Sequence, residues 1–412
     1  MANLELAVAI TPSSVFRIGS VSKQFTAAAI VDLELQGKLS IDDEVTRFLP
    51  EMETQLGDGN ITIRHLLNHT SGIRDYLTLM SLAGKSDDDF YTTSQALAII
   101  ARQQETNFAP GSEYLYSNSG YLLLSEIVHR AGGMSLREYA QRRLFDPFGM
   151  RHSHFHDDHR HLVPNRASGY RPTSDGGFEI DMTTLEMVGD GGVYTTVGDL
   201  LIWADRLWDG TDRSNAMLRA LTTRAVLTSG DTIPYALGLR HDEHRGVHTI
   251  GHSGGFVGFR ADFVRFPDDD LTVVALCNTS NAQPSRLTRA VAGVLLEDRM
   301  QPVAPDRQVA SGEDRTESED APHASLPVDV LRRLAGEYYS RELDVVYSIT
   351  IVNGALHLGI GSATQATLEP ETETVFRARG LPLTLRFRPL AGEGLGFLLD
   401  AGRVKNLRFL KR

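Results

Sequence analysis

A sheet flanked by helices, interrupted by a helical insertion and followed by a small all-β domain, is the α/β architecture this 412-residue sequence predicts. Three observations carry it. Residues 20–36 cover most of a helical cylinder with apolar side chains (Phe25, Ala28, Ala29, Ile30, Leu33, Leu35), which marks a helix buried on nearly all sides. Between 191 and 300 strand signals return at 247–250, 258–266 and 271–278, the last two joined by Pro267-Asp268-Asp269-Asp270 as a hairpin. From 336 to 412 apolar and polar residues alternate, with the turn dipeptide Asn353-Gly354 and no helix longer than the short one near 328–334.

The remaining elements follow in order. Gly37 ends the first helix as a left-handed cap would. From about 40 to 190 the pattern is helices and long loops: a short helix at 62–67, a second at 120–129 with Tyr121, Leu122, Leu123, Leu124, Ile127 and Val128, and a third opened by the capping pair Ser135 and Glu138. Residues 291–296 lie in a helix able to cover one face of the returning sheet. Residues 301–325 are acidic and hold too few apolar side chains to pack, so they read as a linker. The expected division is 1–300, the linker 301–325 and a β domain over 326–412.

Length alone favours a large domain plus a smaller one. A net charge of -12 excludes the clustered basic surface that nucleic acid requires. No stretch reaches the ~18 apolar residues of a membrane span. The first six residues lack the basic start and apolar core of a secretory signal, and they assign no compartment. Cys277, the only cysteine, sits in an apolar strand-like run and reads as a buried, inert thiol. Oligomeric state is left open.

Ser20 and Lys23 stand one helical turn apart and therefore share a face, which brings an amine within reach of a hydroxyl. A serine hydroxyl attacks carbonyls only when a neighbouring base takes its proton. Burial lowers a lysine's pKa and suits it to that task. Two further polar clusters follow, Tyr116-Ser117-Asn118 before an apolar helix and His252-Ser253-Gly254-Gly255 on a strand.

S-x-x-K on a helix, Y-x-N on a loop and H-x-G on a strand, in that order, resemble the penicillin-binding-protein and class C β-lactamase-related serine hydrolases. The resemblance covers roughly residues 4–300 and implies a β-lactamase/transpeptidase-like fold. It implies that Ser20 is the nucleophile, Lys23 its base and Tyr116 the phenol that shuttles protons. Asn118 would hold the substrate, while Gly254 and Gly255 would let it lie along the strand edge. The backbone N–H groups of Ser20 and Gly255 would form the oxyanion hole.

His252 takes the position where β-lactamases carry lysine, and offers a weaker fixed charge for a substrate carboxylate. Members with H-x-G resemble D-aminopeptidases, D-stereospecific amidases, some carboxypeptidases and esterases. The expected activity is therefore acyl-enzyme hydrolysis of small amides or esters, namely D-amino-acid peptides, short acyl esters and, slowly, β-lactams, with no cofactor. The alternative is an acylation-competent peptide- or penicillin-binding sensor of weak activity. Such proteins usually carry a helix and two strands before the serine helix, and only 19 residues precede Ser20, so missing N-terminal strands are expected. The barrel-like C-terminal modules of some members resemble 326–412.

Four other features stay outside the expected chemistry. Tyr114 is the rival phenol, but its offset from Asn118 breaks the Y-x-N spacing. His152, His154, His156, His159 and His161, with Asp157 and Asp158, form a dense cluster that reads as a loop; neither H-E-x-x-H nor a cysteine pair accompanies it, and no metal site is expected. Residues 66–72 and 189–196 read as scaffold. His69 reads as a helix-end histidine bonded to backbone.

Overall fold

The apolar run after Ser20 folds as a 3-10 turn, Gly19–Ser22, leading into an α-helix, Lys23–Leu35, in which every residue from Lys23 to Leu33 is buried. Its polar members survive burial because each is paired. Trp203 Nε1 donates to Gln24 Oε1 at 2.7 Å, Thr26 Oγ1 to the Gly189 carbonyl at 2.7 Å, and Tyr139 and Arg143 to Asp32 at 2.8 and 2.9 Å. Gly37 closes the helix at φ +70°, with its N–H on the Glu34 carbonyl at 2.8 Å. This computed structural model describes residues 1–53, 60–86, 89–302, 326–360, 363–390 and 394–412; most of the expected acidic linker, 303–325, lies outside them.

The other expected helices form at Ile63–Leu67, Asn118–Gly132, Leu136–Ala140 and Pro284–Leu295. Thr62 and His65 cap the first reciprocally, side chain to backbone in both directions. The Asn118–Gly132 helix begins two residues before its apolar face, so Asn118 sits in its first turn and Tyr116 in the loop before it.

Four antiparallel strands, Arg240–His244, Val247–Phe256, Phe259–Phe266 and Leu271–Cys277, form one sheet in chain order. The first strand ends opposite Gly251, whereas the second runs on to Phe256 and pairs there only with Phe259–Phe266. This leaves residues 252–256 as an edge. Ala292 of the last helix packs on Val247, Val264, Phe266 and Val273, covering one face. A second sheet orders three short strands, Phe16–Arg17, Val193–Thr195 and His154–Phe155, with Val193–Thr195 in the middle. Cys277 is half-buried rather than buried, and burial raises its thiol pKa.

The C-terminal strands close into an eight-stranded antiparallel barrel, from Gly336–Ser340 to Val404–Lys411, with Tyr338 pairing Lys411. Closure removes the sheet edges that a small β domain would otherwise expose. Buried Tyr338, Tyr347, Phe387, Phe397 and Phe409 stack or meet edge-on at 4.4–5.8 Å between ring centres. Asn353 and Gly354 turn at φ 50° and 78°, as a tight hairpin requires.

Two compact units result, and the chain passes between them more than once. Ile73–Ser86 and Ala98–Asn107 belong with the barrel, and the rest of the chain to Pro302 forms the other unit. Within the barrel unit, fully buried Arg74 pairs with Glu342 and Tyr347 donates to the Leu82 carbonyl at 2.6 Å. Among the described residues no helix is long and apolar enough to cross a membrane.

Candidate active site

Ser20 lies at the start of the 3-10 turn, where Gly19 takes φ +51° and a Cβ would stand 2.7 Å from the Gly255 nitrogen. The edge strand passes that close. At Gly254 the fit is tighter still: a Cβ would fall 2.0 Å from the Ile18 carbonyl oxygen and 2.9 Å from the Ser20 nitrogen. The bare backbone of Gly254 is therefore used by the protein itself, to seat the strand against the Ser20 turn. Gly255 is looser, since the nearest atoms a Cβ there would meet belong to the flexible Arg260 side chain, at 3.1 Å and beyond.

Lys23 is fully buried, and its Nζ lies 3.3 Å from Ser20 Oγ, 2.9 Å from Asn118 Oδ1 and 2.5 Å from the Asp190 carbonyl oxygen. The amine also sits 4.8 Å from the ring centre of Tyr116 and 5.4 Å from that of Tyr121. Gly238, at φ +71°, presses a loop onto the Lys23 backbone, where a Cβ would come within 2.7 Å.

His252 is held in one tautomer. Its Nδ1 lies 2.6 Å from the Ser253 carbonyl, which can only accept, so Nδ1 carries the proton and Nε2 accepts from the Tyr235 hydroxyl at 3.1 Å. Burial and the Lys23 charge push its pKa down to about 4, so the imidazole is neutral near pH 7. The partial charge expected of this position is not available there.

His69 does more than end a helix. Its backbone is left-handed at φ 58°, its carbonyl accepts from Leu115 N at 3.0 Å, and its Nδ1 accepts from Ser117 N at 3.2 Å. The ring meanwhile packs 4.2 Å from Tyr116 and 4.7 Å from Tyr235. Backbone bonding, as expected, and shaping of the Tyr116 loop are thus the same contact.

The structure brings Ser20, Lys23, Tyr116, Asn118, His252, Gly254 and Gly255 together. Tyr114, Tyr116, Tyr235, Arg240, His252 and Ser253 line a cavity of about 390 Å³ beside them. Sequence reasoning missed Tyr235, Asp190 and the second role of His69. Asp190 acts through its carbonyl, which carries no residue-type signal. Tyr235 stands in Pro234-Tyr235-Ala236-Leu237-Gly238 with no motif spacing; the one available signal was a glycine-ended loop carrying a buried phenol.

Residues 1–297 match the Beta-lactamase family, and this chain belongs to that family. It is 32% identical over 279 residues to a D-aminopeptidase of Cereibacter sphaeroides, covering 67% of this chain and 53% of that protein. It is 29% identical over 282 residues to a D-aminopeptidase of Brucella anthropi, covering 67% and 52%. The chain thus spans about half the length of these relatives. In fold it resembles the octameric penicillin-binding protein homologue from Pyrococcus abyssi, with TM-score 0.64 and 22% identity over 100% of this chain and 91% of that one.

Proposed function

We propose that the chain is a serine hydrolase that forms an acyl-enzyme on Ser20 and cleaves small amides, with D-amino-acid amides and peptides first among them. One observation carries the reading: Lys23 Nζ lies within hydrogen-bond distance of Ser20 Oγ, Asn118 Oδ1 and the Asp190 carbonyl oxygen together, so the buried amine is positioned against the serine hydroxyl. A neutral amine donates two protons. In that form it also carries the lone pair that can take the serine proton.

Ser20 Oγ then attacks the carbonyl carbon as its proton passes to Lys23. The oxyanion that forms is met by the N–H groups of Ser20 and Gly255, which the close seating of Gly254 keeps adjacent. Tyr116, against Lys23, relays the proton to the departing amine and completes the acyl-enzyme. Water, deprotonated along the same path, releases the acid and restores Ser20. Asn118 serves Lys23 and the substrate amide together.

Support for the D-amino-acid substrate comes from the two D-aminopeptidase relatives and from the neutral His252, which offers no fixed charge for a substrate carboxylate. Short esters fit the same chemistry; β-lactams would acylate Ser20 and leave slowly. A panel of D-amino-acid anilides, the matching L-anilides, nitrophenyl esters and a chromogenic cephalosporin tests this, run on the parent and on Ser20→Ala. Turnover of D-anilides that vanishes in the variant supports the reading. Equal turnover in Ser20→Ala contradicts it.

A further inference from the structure

The histidine cluster belongs to one face of the three-stranded sheet, and that face is chemically one-sided. Arg17 pairs with Tyr194, and Tyr194 pairs with His154, so these three side chains stand in one row across the sheet. His156, two residues after His154, projects to the same side, and its ring packs 4.7 Å from Tyr194. His154 Nε2 and His156 Nδ1 are 3.2 Å apart, and the His161 ring lies 5.6 Å from that of His154.

Arg17 makes the row unusual. The residue is 5% exposed, its guanidinium lies over the Phe256 ring at 5.0 Å, and its Nε has no hydrogen-bond partner among the described residues. A buried guanidinium with an unspent Nε donor is costly unless an acceptor meets it. The surroundings add positive charge. Arg17, Arg137 and Arg166 all act on His156 to disfavour its protonation, and the nearby acid Asp157 is engaged by Arg137 at 2.7 Å. Of this cluster, Arg137, His154 and His161 line a cavity of about 650 Å³, whose wall also carries Glu138, Arg142, Asp146 and Arg151.

We propose that the face formed by Arg17, His154 and His156, flanked by Arg137 and Arg166, is a binding site for a small oxyanion, either an inorganic phosphate or a carboxylate. Guanidinium forks and ring N–H groups match oxyanion geometry. Paired histidines at this spacing also suit a transition metal, but the Arg17 and Arg166 guanidinium groups beside them disfavour a dication.

The test uses the full chain and its Arg137→Gln and His154→Gln variants, which alter partly exposed side chains. Thermal unfolding is followed at pH 7 against sodium phosphate and against sodium acetate, with sodium chloride at matched ionic strength as reference. The parent is expected to gain a saturable rise in Tm with phosphate, acetate or both, and the apparent affinity is expected to fall at least about five-fold in each variant. Phosphate alone or acetate alone identifies which oxyanion the site takes. No saturable rise beyond chloride, or equal affinity in parent and variants, overturns the proposal. So does stabilisation of the parent by zinc ions that exceeds both anions and is lost in His154→Gln.

Discussion

The Tyr235 hydroxyl donates to His252 Nε2 at 3.1 Å, and this bond fixes an imidazole whose other nitrogen is already committed to the Ser253 carbonyl. Tyr235 thereby sets the position of a ring on the edge strand, beside Tyr116 at 6.1 Å between centres. Tyr235→Phe removes the hydroxyl that bonds His252 and also meets Tyr121, with little change in volume. The expected result is a folded protein whose kcat/KM falls about ten-fold, the equivalent of the ~1–1.5 kcal/mol such a bond contributes. An unchanged kcat/KM in a folded variant would show that the His252 ring needs no such support.

Lys23 is held by Asn118 Oδ1 and by the Asp190 carbonyl, with Ser20 beyond. Replacing it with Met keeps the buried volume and removes the amine. Loss of a positioned base is expected to lower kcat about 10²–10⁴-fold while KM changes little. Steady-state kinetics on a D-amino-acid anilide measures both. A loss confined to KM would assign Lys23 to binding rather than to proton transfer.

Gly254 and Gly255 are expected to behave oppositely. Gly254→Ala drives a methyl into the Ile18 carbonyl and the Ser20 turn, so both Tm and activity should fall, with about 1–3 kcal/mol of destabilisation from overpacking. Gly255→Ala keeps its N–H and presses first on the flexible Arg260 side chain, so most activity should remain. Paired melting curves and rates decide it; similar behaviour of the two variants would contradict the seating described for Gly254.

Much of this was legible before any coordinates. The buried helix after Ser20 followed from apolar side chains on every side, and the hairpin over 259–277 and the Asn353-Gly354 turn followed from local pattern and turn chemistry. The meeting of Ser20, Lys23, Tyr116, Asn118 and His252 followed from motif order. What pattern could not carry was contact made through backbone or across long separations. The Asp190 carbonyl is a property of chain path rather than of residue type. Nor does any local signal tell that Ile73–Ser86 joins a barrel more than two hundred residues later.

That distant association makes its own prediction. Arg74 and Glu342 have side chains 0% and 2% exposed, and burial pushes the arginine's pKa down and the glutamate's up, the mark of a pair kept from water. Arg74 also donates to Gln103 Oε1 at 3.0 Å and to the Lys405 carbonyl at 3.0 Å. Glu342→Ala removes the carboxylate paired with this buried guanidinium, and about 3–5 kcal/mol of destabilisation is expected. Denaturant unfolding of the full chain measures it; a change under about 1 kcal/mol would contradict the pairing.

Acid should weaken the fold through the histidines. His154 and His252 are pushed down to about 4 and His156 to about 3, in each case chiefly by burial. The unfolded chain protonates them near the ordinary value of about 6.5. Between about 6.5 and about 4 the unfolded state therefore binds more protons, and stability drops as pH falls through that window; above it these groups add no slope. Tm measured from pH 8 to pH 4.5 should fall below about 6.5, less steeply in His156→Gln. Identical slopes in parent and variant would contradict the burial assigned to that ring.

The acyl-enzyme itself gives the most direct test. Rapid acid quench of the parent during turnover of a D-amino-acid nitrophenyl ester, followed by peptide mass analysis, should find the acyl group on the peptide that carries Ser20. The same quench of Ser20→Ala should find none. An acyl group on another residue, or none in the parent while product is still forming, would contradict covalent catalysis at Ser20.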